Sequence, residues 1–135
     1  MNIKLDPGAI LPDRAHLFDA GLDLYSRENK YIHPGEHETF DTGVHVEIPE
    51  GCVGLITSKS GLMSKGITSR GTIDCGYTGS IRAVLYNSGS EAYRVREGDK
   101  ITQLVILPCL RPSINVTMDL ADTDRGSGGF GSTGR

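Results

Sequence analysis

The chain has 135 residues and a net charge of −3, with 37% hydrophobic and 23% charged side chains, which suits one folded domain around a single core. That acidic balance argues against a protein gripping polymeric nucleic acid through many phosphates. No run approaches the ~20 apolar residues of a membrane span, and the start "MNIKLDPGAI" lacks a signal-peptide stretch, so the expectation is a soluble, cytoplasmic protein.

Cys52, Cys75 and Cys109 are odd in number, well separated and without C-x-x-C spacing. They suggest neither a disulfide framework nor a zinc site and read as small buried hydrophobes. Glycine and proline recur roughly every eight to twelve residues, with short β-branched or alternating runs between them, as in an all-β sandwich or barrel. In chain order the expected strands are Asn2–Leu5, Leu22–Tyr25, Lys30–His33, Glu38–Phe40, Val44–Ile48, Val53–Thr57, Ile81–Asn87, Ala92–Val95 and Ile101–Leu110.

In "AGLDLYS", residues 20–26, Asp23 stands between two core leucines and so faces the opposite side, solvent or a cleft. "HPGEH", residues 33–37, has two histidines four apart, but Pro34-Gly35 predicts a turn rather than the helix that would bring both rings to one metal. "SKSGLMSKG", residues 58–66, reads as one helical turn with Ser60 as its N-cap. Its backbone donors, the Ser60 hydroxyl and the Lys59 ammonium suit a phosphate; taken by itself the stretch reads more simply as a capped turn with a solvated lysine.

"GTIDCGYTGS", residues 71–80, predicts a glycine-bracketed hairpin whose one carboxylate is Asp74. A hairpin backbone facing a cleft can read a base edge, and Asp74 is a candidate general base; the alternative is a turn aspartate bonding its own backbone. In "SIRAVLYN", Ile81, Ala83 and Leu85 alternate with Arg82, Val84 and Tyr86, predicting a half-buried strand. "EGDKITQLV", residues 97–105, carries a Gly98-Asp99 hairpin signal, and "KITQLVILPCL" reads as a strand covered on both faces with one interior amide, Gln103.

The composition shifts after Met118, predicting a domain over 1–118 and a flexible arm over 119–135. "RGSGGFGSTGR" within it is either a plain tail or a closing segment, in which Arg125 and free backbone N–H groups would meet an anion and Phe130 a base.

Taken in order, "AGLDLYS", "SKSGL", "GTIDCGYTG", "GDKITQLV" and "RGSGGFGSTGR" resemble the five signature motifs of the trimeric deoxyuridine triphosphatases, the dUTPases, over nearly the whole chain. The resemblance implies a jelly-roll-like, distorted β-barrel subunit and a homotrimer whose sites each borrow residues from three chains. It implies Mg2+-dependent hydrolysis of dUTP to dUMP and pyrophosphate, which keeps uracil out of DNA and supplies dUMP for thymidylate synthesis. Carried over by position, Asp74 deprotonates the attacking water, Gln103 helps hold that water and the α-phosphate, and Asp23 supports the metal and phosphate network through water. Lys59, Ser60 and Gly61 contact phosphates, and Arg125, Gly131, Ser132 and Thr133 engage the terminal ones. Gly71, Thr72, Ile73 and Asp74 read the uracil edge, Tyr77 packs under deoxyribose, Arg82 lines the nucleotide and Phe130 stacks on the base. The magnesium is carried by the triphosphate and water, with no direct protein ligand.

Lys59 departs from the arginine more often found there, and Gly76 and Ser80 stand where acids are frequent. A dCTP deaminase is the nearest competing reading, but deaminases of this superfamily use a glutamate in the strand that "SIRAVLYN" would form, and it contains no carboxylate. A nucleotide-sensing regulatory protein and a capsid-like jelly roll are the further alternatives.

Overall fold

A computed structural model describes residues 1–130 and 132–134; Gly131, expected among the phosphate ligands, lies outside the described residues. The elements are β1 (Ile3–Leu5), β2 (Gly21–Tyr25), β3 (Lys30–Ile32), β4 (His37–Asp41), β5 (Val44–Val46), β6 (Cys52–Thr57), α1 (Ser60–Met63), β7 (Ile67–Ile73), β8 (Arg82–Asn87), β9 (Tyr93–Val95) and β10 (Lys100–Pro108). Six strands form a curled antiparallel sheet in the order β2-β10-β6-β7-β8-β4, accompanied by the pairs β1-β5 and β3-β9. The architecture is all-β and jelly-roll-like.

Alternation builds the core. Ile81, Ala83 and Leu85 are wholly buried while Arg82 and Tyr86 face out. One apolar cluster gathers Leu22, Leu24, Ile56, Ile73 and Leu104, and a second gathers Ile32, Phe40, Ile67, Leu85 and Ile101. Because β10 supplies Leu104 to one and Ile101 to the other, it ties both halves together; each such aliphatic contributes about 1.5–3 kcal/mol by leaving water.

Several local expectations are corrected. Strand β7 was not foreseen, because "ITSRGTI" reads as polar and glycine-broken; it forms because β6 and β8 pair with it from both sides. Residues 71–73 therefore belong to a strand, and 74–81 is the connection to β8 rather than the second half of a tight hairpin. The Gly98-Asp99 turn forms, with Gly98 at φ 84°, but β9 pairs with β3 while β10 pairs with β2 and β6, so it hands the chain from one sheet to another. Ser60 is the first residue of α1, not its cap; Lys59 holds the cap position with no side-chain bond.

Strand β10 is sealed on both faces only at Ile101 and Thr102, whereas Leu107 is 41% exposed. The cysteines are half-buried rather than buried, and Cys52 and Cys75 pack against the first cluster. The last strand ends at Pro108, and every residue from 110 to 127 is exposed.

Candidate active site

Cross-strand register puts four polar side chains in one row. Gln103 on β10 lies opposite Asp23 on β2 and Thr57 on β6, and Thr57 lies opposite Arg70 on β7. Directly opposed residues share a face. The reverse face carries the row Leu22, Leu104, Ile56 and Gly71 and looks into the core, so the alternation that buries the leucines also presents Asp23 and Gln103 together.

A β-bulge completes this corner. Lys100 is three residues before Gln103 and by strict alternation belongs on the other face. Between Lys100 and Thr102 the β2–β10 register shifts, so Lys100 stands opposite Tyr25, on the side of Asp23. The extra residue, Ile101, turns into the second core cluster, and bulges commonly re-aim side chains in this way beside functional sites.

Lys100 Nζ then reaches Asp23 Oδ2 at 2.8 Å, while Lys59 Nζ bonds Asp23 Oδ1. Asp23 is only 4% exposed. Burial pushes its carboxyl up, but hydrogen bonds from Lys100 and Lys59, reinforced by their charges, outweigh that and hold it below the usual 3.8. The hydrogen bond to Asp23 correspondingly raises Lys100. One buried anion thus organises two ammonium groups, which matters because breaking such a pair leaves an uncompensated charge.

Around the corner lies a cleft of about 440 Å³ lined by Lys59, Ser60, Gly61, Lys65, Lys100 and Gln103. A second hollow of about 230 Å³, bordered by Asp19, Gly21, Asp23, Lys59 and Gln103, adjoins it. Gln103 Nε2 donates to the Ser58 carbonyl at 3.3 Å. Its carboxamide lies over Gly21, where a Cβ would overlap Gln103 Oε1 and approach Cδ to 2.8 Å. Three ammonium groups and a carboxamide converging on an open cleft can neutralise and orient a polyphosphate.

The other expected residues lie elsewhere. Asp74 follows β7 directly, is exposed, and its carboxylate accepts no hydrogen bond among the described residues, so it is not a turn aspartate capping itself. Ile73 is buried in the first cluster, which leaves only its backbone for recognition. The Tyr77 hydroxyl donates to the Ser80 carbonyl at 2.9 Å, folding the ring onto Gly79, where any Cβ would come within 2.6 Å of the ring carbon Cζ. Asp74 is four residues beyond Arg70 and two strands from Gln103, roughly 13 Å along the sheet and roughly 10 Å across it. Arg82 opens β8 on the exposed side.

Phe130 is fully exposed and Arg125 Nε donates to the Gly128 carbonyl at 2.9 Å, so the arm turns on itself. One chain therefore unites Asp23, Lys59, Ser60, Gly61 and Gln103. Gly71, Thr72, Ile73, Asp74 and Tyr77 follow one another along the end of β7 and its connection, Arg82 opens β8, and Arg125, Phe130, Ser132 and Thr133 lie on the arm. Lys100 was missed from sequence, since only the bulge brings it here; a basic residue opening a strand was its one trace.

Comparison with known proteins fits this arrangement. The sequence profile of the dUTPase family matches residues 8–134. The deoxyuridine 5'-triphosphate nucleotidohydrolase of Clostridium acetobutylicum is 44% identical over 97% of this chain and 93% of its own length. That of Clostridium tetani is 44% identical over 100% and 97%. The dUTPase of Staphylococcus bacteriophage 80alpha, solved with dUpNHpp, superposes with a TM-score of 0.92 at 33% identity, covering 99% of this chain and 98% of that one. A mutant dUTPase of phage phi11 of S. aureus, described with a structural Mg(II) ion, superposes at 0.80 with 33% identity, covering 87% and 96%. The chain belongs to the dUTPase family.

Proposed function

We propose that this protein hydrolyses dUTP to dUMP and pyrophosphate, working in the cytoplasm as a homotrimer with sites built between chains. The observation that carries the reading is the convergence of Asp23, Lys59, Ser60, Gly61 and Gln103 around two adjoining hollows, with Asp74 displaced to the end of β7 in the same sheet. That displacement supports assembly: with Gln103 and Asp74 of one chain roughly 16 Å apart, one water meets both where a second copy brings its Asp74. The segment after β10 supports the same reading: Ile114, Val116, Met118 and Leu120 alternate with polar residues and are 87–100% exposed, a strand pattern without a partner among the described residues of its own chain.

In this site the Lys59 and Lys100 ammonium groups and the α1 backbone cradle the phosphates. The Gln103 carboxamide orients the water, and a neighbour's Asp74 accepts its proton as oxygen attacks the α-phosphorus. Gly71 to Asp74 and Tyr77 hold the nucleoside, with Arg82 beside it. The arm, a separate segment over 119–135, brings Arg125, Gly131, Ser132 and Thr133 to the terminal phosphates and Phe130 onto the uracil, excluding bulk water.

Both Asp23 oxygens are taken by ammonium groups, so the donor set fits a magnesium ion carried on the triphosphate rather than one held directly by the chain. Bound there, Mg2+ neutralises charge that develops on the phosphate oxygens. No helix among the described residues is long and apolar enough to cross a membrane, and β8 carries no carboxylate for deamination.

Pyrophosphate release measured with dUTP, dTTP, dCTP and UTP, with and without Mg2+, tests the reading. Release from dUTP alone, lost on chelation, is expected; binding of dUTP without release, or ammonia from dCTP, would overturn it.

A further inference from the structure

His45 sits at the middle of β5 with both ring nitrogens against acceptors. Nδ1 is 2.8 Å from the Thr78 carbonyl and Nε2 is 3.0 Å from Asp6 Oδ1. The Thr78 carbonyl can only accept, so Nδ1 is the nitrogen that donates to it. Thr78 belongs to the 74–81 connection, next to Tyr77 and four residues from Asp74. Among the described residues, His45 is the one side chain from outside that connection that bonds to residues 76–79. Its exit is held separately, by Ser80 Oγ donating to Asp41 and by Thr42 Oγ1 donating to the Ile81 carbonyl at 2.7 Å.

We propose that His45 is a positioning residue: its Nδ1–H pins the Thr78 carbonyl and thereby sets the connection that carries Asp74 and Tyr77. The reading rests on Asp74 being the base of the proposed reaction. The other ring nitrogen of His45 is anchored on Asp6, just after β1, so the ring is held between β1 and the connection. Without the Nδ1–H donor the connection loses its central hold, and a misplacement of ångström size at a reacting group lowers turnover strongly.

The test compares the wild type with His45→Ala and His45→Arg, whose guanidinium can donate to both acceptors at any pH. His45→Ala is expected to lower kcat about tenfold with KM for dUTP within about twofold, and His45→Arg to restore most of kcat. Amide exchange at residues 76–79 should be at least about fivefold faster in His45→Ala. Unchanged kcat in His45→Ala, no rescue by arginine, or unchanged amide exchange at residues 76–79 would each overturn the proposal while dUTP hydrolysis stands. If the wild type did not cleave dUTP the functional reading would fall, and the exchange rates would still decide whether His45 is the clamp. Should His45→Ala not fold, His45→Leu, of similar bulk and without a donor, takes its place in both readouts.

Discussion

Lys100 meets Asp23 at 2.8 Å because a single extra residue, Ile101, turns its side chain to the other face of β10. Lys100→Met keeps the aliphatic stem and removes the ammonium. We expect KM for dUTP to rise about tenfold, the scale of one lost charge-assisted bond, with a smaller change in kcat. Steady-state pyrophosphate release measures both, and an unchanged KM would show that Lys100 serves Asp23 alone.

The Asp23 carboxyl is held below its usual 3.8 by two lysines that outweigh its burial. A depressed value in the folded state means stabilisation present above the unfolded value and lost as pH falls through the folded one. Asp23→Asn should therefore be less stable than the wild type at pH 7, by about 2 kcal/mol given that both ammonium groups still touch water. The gap should narrow as pH falls below 3.8, as urea unfolding at pH 7 and pH 3 would reveal.

Asp74→Asn removes the proposed base without changing shape. Turnover should drop about 10²–10⁴-fold, while affinity for a non-hydrolysable dUTP analogue, read by calorimetry, stays close to wild type. Near-normal turnover would dismiss Asp74 from the mechanism.

Gly21→Ala inserts a methyl where the Gln103 carboxamide lies. Because that side chain can swing away, folding should survive. We expect a melting temperature within a few degrees of wild type and a kcat reduced about tenfold, with KM little altered.

Chains ending at Thr123 lose Arg125 and Phe130 and every arm residue expected at the phosphates. Circular dichroism and sedimentation should report an intact assembly, and kcat/KM should fall by at least about a hundredfold; full activity would reduce the arm to a tail.

Much of this was legible because strand alternation is local. "SIRAVLYN" announced its buried face, and "AGLDLYS" announced an acid among leucines. Strand β7 was not legible, since Ser69, Arg70 and Gly71 have little strand preference and take that form only between two partners. The bulge at Ile101 was invisible for the same reason: it exists in the relation of β10 to β2, and Lys100 gains its meaning only there. His45 looked like one histidine among four, its two acceptors lying 33 and 39 residues away.

The separation of Asp74 from the Asp23–Gln103 corner has a genetic consequence. In hybrids of two individually dead variants, one lacking Asp74 and the other lacking Gln103, some interfaces would inherit an intact acid from one parent and an intact amide from the other. Co-expression should thus rescue turnover that neither mutant shows alone, whereas a self-sufficient subunit would never complement.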